Sequence, residues 1–306
     1  MSEQRRGLLM GVLAYVAWGL FPLYWPLLKP AGAIEILASR IIWSLVFVAV
    51  ALSVTARWGR IRPILADVRR LRFIAVGAVV IAVNWGTYIW AVNNDHVVES
   101  SLGYFINPLV TILMGVLILG ERMRPVQWAA LAVAAAAVVE LTIDYGRLPW
   151  IALTLAFSFG TYGLMKKKAA VGAVEGLTLE TLTLAPLALI YLGYSQAAGT
   201  ATFAHDGWLN AVLIAGTGAV TAIPLLLFGG SATRIPLTMV GILQYIAPIM
   251  QFAFGLLVFH EAMTTARWVG FALVWLALVA ITGEAMTTRR RRSRRAAQAE
   301  LEPVGG

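Results

Sequence analysis

The 306-residue chain has no cysteine and only three histidines, His96, His205 and His260. Without cysteine there is no disulfide framework and no thiolate metal site. The histidines fall at or beyond the ends of apolar runs, and no two have the spacing of metal ligands. No metal and no other cofactor is therefore expected. No G-x-x-x-x-G-K-[ST] loop is present, which excludes a nucleotide-driven pump within this chain. An H-E-x-x-H pair, an acidic metal cluster and a placeable nucleophile with its base are also missing, so no catalytic residues are assigned and an enzyme is disfavoured. Charge is scarce too: Asp, Glu, Lys and Arg together make up 13% of the residues.

What the chain has in abundance is apolar side chains, 60% of its residues. A soluble domain could not hide that much apolar surface, and a lipid bilayer is the solvent that suits it. The formal net charge of +9 raises the question of nucleic acid. The basic residues cluster in short segments between apolar runs, which is how orientation in a membrane is encoded. The expected partners are thus the lipid bilayer and a small-molecule substrate, with protons as a candidate coupling ion and no nucleic acid.

Ten segments are long and apolar enough to span: 7–25, 34–55, 73–91, 97–119, 125–143, 149–165, 177–196, 208–228, 238–259 and 266–284. With the N-terminus in the cytoplasm, twenty basic residues fall inside, among them Arg57 to Arg72, Lys166 to Lys168 and the six arginines of 289–295. Only Lys29, Arg147 and Arg267 fall outside. That asymmetry predicts an even number of spans with both termini cytoplasmic. The basic stretch after Thr288 is expected to be a disordered cytoplasmic tail attracted to anionic lipid.

The run SLGYFINPLVTILMGVLILGERMRPVQW from Ser101 returns 140 residues later as GILQYIAPIMQFAFGLLVFHEAMTTARW from Gly241. Pro108 meets Pro248, Gly115 meets Gly255, Glu121 meets Glu261 and Trp128 meets Trp268 without a gap. Such self-similarity indicates an internal duplication. Each copy holds five spans, an odd number, so the second must enter the membrane upside down relative to the first. The expected architecture is an all-α membrane protein of ten transmembrane helices in two inverted five-helix repeats, 7–143 and 147–284, flanked by 1–6 and 285–306. Inverted repeats are the architecture of many secondary transporters, whose site lies near the midplane between the repeats.

Pro108 and Pro248 each disturb the carbonyl four residues back, of Tyr104 and Gln244. Within hydrocarbon a freed carbonyl is tolerated only against protein or a water-filled cavity, so both helices should bend towards a shared interior. Polar and aromatic residues concentrate in the same few spans: Asn84, Trp85 and Tyr88; Tyr104 and Asn107; Gln244, Tyr245 and Gln251. Tyr15 with Trp18, and Phe159 with Tyr162, share a helix face at i, i+3. Amides within a membrane should face the interior, and aromatic walls with a few polar groups suit a small organic solute. Trp25, Trp90 and Trp150 read instead as interfacial belt residues. Arg40 and Glu180, also 140 apart, are the ionisable residues inside spans, where function is the default reading. Each lies about 9 Å from its own end of the membrane, at opposite faces, so no direct pair is expected. Arg40 is expected to snorkel outward, towards Glu35. Two roles are open to Glu180, a coupling proton and a structural hydrogen bond. Glu121 and Glu261 read as loop caps or partners of Arg122 and Arg267.

Several stretches also resemble a known family. Ala17-Trp18-Gly19 with Pro22, Glu35-Ile36-Leu37 with Arg40 and Trp43-Ser44, Ile89-Trp90-Ala91-Val92-Asn93-Asn94 and Ser101-Leu102-Gly103-Tyr104-Phe105-Ile106-Asn107-Pro108 are similar to RarD proteins. So are Gly120-Glu121-Arg122, Tyr162-Gly163-Leu164 and Gln244-Tyr245-Ile246. RarD proteins form part of the EamA group of the drug/metabolite transporter superfamily. The resemblance covers about residues 7–284. It implies a ten-helix carrier of the bacterial inner membrane and a role in drug or metabolite export. The alternatives are an uncoupled facilitator, a membrane-embedded enzyme and a sensor.

Overall fold

The computed structural model describes residues 2–119, 124–232, 234–235 and 237–301. Among these every regular element is a helix. In chain order they are α1 (Glu3–Gly19), α2 (Phe21–Tyr24), α3 (Ala33–Val54), α4 (Arg62–Leu65), α5 (Val68–Asn93), α6 (Val97–Leu119) and α7 (Pro125–Tyr145). There follow α8 (Trp150–Ala169), α9 (Ala173–Ala197), α10 (Gly207–Ala232), α11 (Leu237–Leu243), α12 (Ile246–Leu257) and α13 (Thr265–Leu301). Local chemistry sets several boundaries. Asp67 accepts from the Arg70 N–H to start α5, Pro125 supplies the first turn of α7, and Gly146 ends that helix at φ +62°.

Among the described residues seven helices are long and apolar enough to cross a bilayer: α3, α5, α6, α7, α9, α10 and the first part of α13. An eighth span forms if α1 is taken with the segment 21–28, which bends from it by 43°. Two expected spans take other forms. Helix α8 has the length, but Thr154, Ser158, Thr161 and its three terminal lysines dilute its apolar character. The ninth is broken into α11 and α12 at Gln244-Tyr245. That break falls at the residue whose carbonyl Pro248 disturbs. Its counterpart Pro108 sits inside the uninterrupted α6. The last helix runs on through the basic stretch to Leu301.

Helix α8 packs on α5 and α6, α1 on α10 and α12, and α3 on α9 and α10; α6 meets α12, α7 meets α13 and α5 meets α9. One core joins α6, α7, α12 and α13 through Leu102, Phe105, Leu141, Phe252 and Phe271. A second gathers Trp25, Leu28, Ile36, Ile89, Leu155 and Ile214 near one end of the bundle. Lipid is as apolar as these side chains, so close fit rather than water exclusion holds such helices together. Gly103 is where that fit is tightest on α6: a Cβ there would lie 2.7 Å from the Ala152 carbonyl oxygen of α8.

Candidate functional site

Asn84, on the inward face of α5, is 1% exposed. Its amide donates to the Leu155 carbonyl and to Ser158 Oγ of α8, both at 3.0 Å. Its Oδ1 accepts from the Tyr104 hydroxyl of α6 at 3.3 Å. One asparagine thus ties three helices together. Around it the aromatic rings form a series: Tyr88 to Tyr104 at 5.6 Å, Tyr104 to Phe159 at 6.3 Å, and Phe159 to Tyr162 at 6.1 Å. The Tyr88 hydroxyl is buried and unpartnered.

Arg40 lies beside this group and is 3% exposed. It does not snorkel towards Glu35. Its Nε donates to Thr221 Oγ1 of α10 at 2.7 Å, and its guanidinium lies 4.0 Å from the centre of the Trp85 ring, 5.1 Å from Trp25 and 5.6 Å from Phe21. Trp25 is consequently no belt residue: it is fully buried, because the bend after Gly19 carries it inward. Trp90 and Trp150 are exposed and lie against each other. Glu35 instead accepts from the Thr202 and Phe203 backbone N–H groups and the Thr202 hydroxyl, at 2.7, 3.3 and 3.0 Å. Glu180, 2% exposed in its side chain, takes the Lys166 ammonium at 2.8 Å and the Tyr162 hydroxyl at 3.0 Å. Arg40 and Glu180 have separate partners.

The remaining candidates divide. Tyr15 and Trp18 stack edge to face at 5.2 Å and both meet Phe228 of α10. Gln251 donates to the Trp18 carbonyl at 3.2 Å, its Oε1 unpartnered. Pro248 is buried on α12. Asn107 is buried with its Oδ1 unpartnered, next to the half-buried Pro108. Tyr245 packs on the core of α6, α7, α12 and α13, and Gln244 sits beside it at the helix break.

Four carboxylates bind together the end of the bundle that carries Glu35. Glu99, 1% exposed, accepts from Arg147 at 2.7 Å and from the Ile151 N–H at the start of α8. That bond raises the Arg147 pKa. Glu261 accepts from the Val97 and Val98 N–H groups and so caps α6. No ion pair joins it to Arg267, which instead bonds Asp144 at 2.8 Å. Burial pushes the Glu261 carboxyl up to about 7 against the lowering effect of its two N–H donors. Glu121 lies outside the described residues. At the other end Arg124 pairs with Glu284, Arg60 with Glu175 at 3.7 Å and Arg234 with Glu3 at 2.9 Å. Glu99, Ser158 and Thr221 escaped the sequence reading. The signal for Glu99 was an acid in the first turn of a helix; a lone hydroxyl in an apolar span gave none.

Comparison with known proteins places these features in context. Residues 5–143 match the profile of the EamA-like transporter family. The chain is 57% identical to the RarD protein of Streptomyces exfoliatus over 95% of this chain and 92% of that one. It is 43% identical to an uncharacterized transporter, YojE, of Bacillus subtilis over 92% of this chain and 95% of that one. A solved crystal structure aligns with a TM-score of 0.56 at 18% identity, over 91% of this chain and 98% of its own. At that identity the likeness speaks for the fold alone.

Proposed function

The chain belongs to the RarD proteins of the EamA-like transporter family, and on that premise we propose that it exports a small organic solute across the bacterial inner membrane by alternating access between two inverted repeats. The observation that carries this reading is the symmetry of the packing. Exchange the halves at the 140-residue offset, and α5 on α8 becomes α10 on α1, α6 on α8 becomes α12 on α1, and α3 on α10 becomes α9 on α5. The pairs α3 with α9, α6 with α12 and α7 with α13 map onto themselves. Every one of these contacts is made. The polar end contacts obey the same rule: Asp144 bonds Thr264 at 2.8 Å, and 140 residues away from each, Glu284 pairs with Arg124.

The symmetry is unequal in extent. Helix α6 packs on α8 more fully than α12 on α1, and α3 on α10 more fully than α5 on α9. Unequal packing of equivalent contacts is what distinguishes the two states of such a carrier. Together with the buried Glu99 and Glu35 bonds it supports a state sealed at the outer face. The solute then reaches Asn84, Trp85, Tyr88, Tyr104 and Phe159 from the cytoplasm. Pro108 and Pro248 serve as the flexible points of α6 and α12. A second reading, an uncoupled facilitator, is favoured by one contact: Glu180 is already neutralised by Lys166. Glu180→Gln separates the two, abolishing gradient-driven transport but not exchange if this carboxylate carries the coupling proton.

The test is untargeted metabolite profiling of cells and medium with the gene overexpressed or deleted. A compound whose partition shifts outward on overexpression and inward on deletion supports the proposal. No opposed shift across the panel overturns it. Topology is tested independently, because the chain has no native cysteine: Lys168→Cys should be labelled by an impermeant maleimide only from the cytoplasmic side.

A further inference from the structure

Arg40 is a buried cation without an anion. Among the described residues no carboxylate comes within 4.0 Å of it, and its bonding is limited to Thr221 through Nε and to the faces of three aromatic rings. Its Nη1 is buried and unpartnered. A guanidinium has five N–H donors and does not deprotonate within a protein. Aromatic faces offset part of the desolvation of a cation but accept no in-plane hydrogen bond. The charge is therefore left short of an acceptor. Tyr88 and Tyr104, whose rings are 5.6 Å apart, pack in the same buried cluster as Phe21 and Trp25, the rings that cover the Arg40 guanidinium, and the Tyr88 hydroxyl is a second buried donor without a partner. Two unpaired donors beside one uncompensated positive charge are the complement of an anion.

Building on the transport reading, we infer that Arg40 and Tyr88 form an anion subsite, and that the solute is a small organic acid whose carboxylate binds there with its body against Trp85 and Tyr104. A carboxylate fits better than a phosphate dianion because a single fixed cation faces the site, and a second negative charge would be buried without compensation. The flat apolar walls suit an acid with an aromatic or branched aliphatic body. In the unloaded protein the unneutralised charge is a cost, and the ligand's carboxylate removes it, so acids are selected over neutral isosteres.

The experiment uses benzoate and benzamide, which share shape and differ in charge. Binding to the purified full-length protein in detergent is measured by saturation-transfer NMR titration. Benzoate should bind at least tenfold more tightly than benzamide. R40Q should reduce that preference below threefold, R40K should keep part of it, and Y88F should weaken benzoate by threefold or more without affecting benzamide. The melting temperature of each variant reports whether it is folded, and benzoate should raise it in wild type but not in R40Q. Equal binding of the two probes, or a benzoate preference that survives in folded R40Q, overturns the inference. The transport reading fails separately. Arg40-dependent benzoate binding with no opposed partition shift in cells keeps the anion site and removes the carrier. A neutral metabolite exported equally by wild type and R40Q keeps the carrier and removes the anion site.

Discussion

Arg40 and Glu180 occupy equivalent positions, 140 residues apart, on the second long helix of each half, and the protein treats them in opposite ways. Glu180 is answered by Lys166 and Tyr162, both from α8. Arg40 is answered by one hydroxyl and three rings. The partners come from corresponding places: α8 supplies those of Glu180, and its counterpart, the first span, supplies Phe21 and Trp25. What differs is that a lysine stands on one side and no acid on the other. A charge neutralised within the protein serves its framework, whereas the open charge of Arg40 is the one that the inferred anion subsite uses.

The largest expected effect is therefore on the Glu180 side. Lys166→Met strips a buried carboxylate of its cation and should cost about 2 to 3 kcal/mol, less than a fully buried pair because Lys166 is partly exposed. The double variant Lys166→Met with Glu180→Met should recover most of that loss in thermal unfolding. A single variant as stable as wild type would break the comparison. Next comes Asn84→Leu, which leaves the Tyr104 hydroxyl without its acceptor and Ser158 Oγ without its amide donor. It should cost about 2 kcal/mol, and it should weaken solute binding because Tyr104 loses its anchor.

A smaller effect sharpens the contrast with a third carboxylate, Glu261, which is held by backbone N–H groups and no cation. Its folded pKa stands near 7, above the ordinary 4.5. Between those values the folded protein binds the extra proton, so this group favours folding at acid pH and the benefit is lost as pH rises through about 7. The melting temperature of wild type relative to Glu261→Gln should fall by a few degrees between pH 5 and pH 8. A pH-independent difference would show that the N–H donors, rather than burial, govern this carboxylate.

The all-helical membrane character and most of the expected spans were legible because hydropathy is a property of the chain itself. Placement around Asn84 was legible in part: amides in apolar spans must turn inward, and Asn84, Tyr104 and Phe159 do meet. The fate of Trp25 was not, since it depends on a bend at Leu20 that carries a ring expected at the membrane surface under Arg40. Nor was the different behaviour of Pro108 and Pro248 legible. The two prolines stand in the same motif, yet one lies within a continuous helix and the other follows a break. Local sequence sets the weakness, and the packing of neighbouring helices decides whether it opens.

The smallest expected effect is the one that discriminates best. Arg40→Met loses one hydrogen bond to Thr221, worth about 1 kcal/mol, and relieves the burial of an unneutralised charge, a gain of similar size or larger. The two nearly cancel, so the free energy of unfolding should stay within about 1 kcal/mol of wild type or rise. A structural arginine would behave otherwise: its removal would destabilise the fold as strongly as that of Lys166. If Arg40→Met proves costly, the ring cage alone satisfies the guanidinium and Arg40 joins Glu180 as framework. If the variant is stable yet no longer distinguishes benzoate from benzamide, then of the two equivalent charges one is spent on holding the helices together and the other on holding what passes between them.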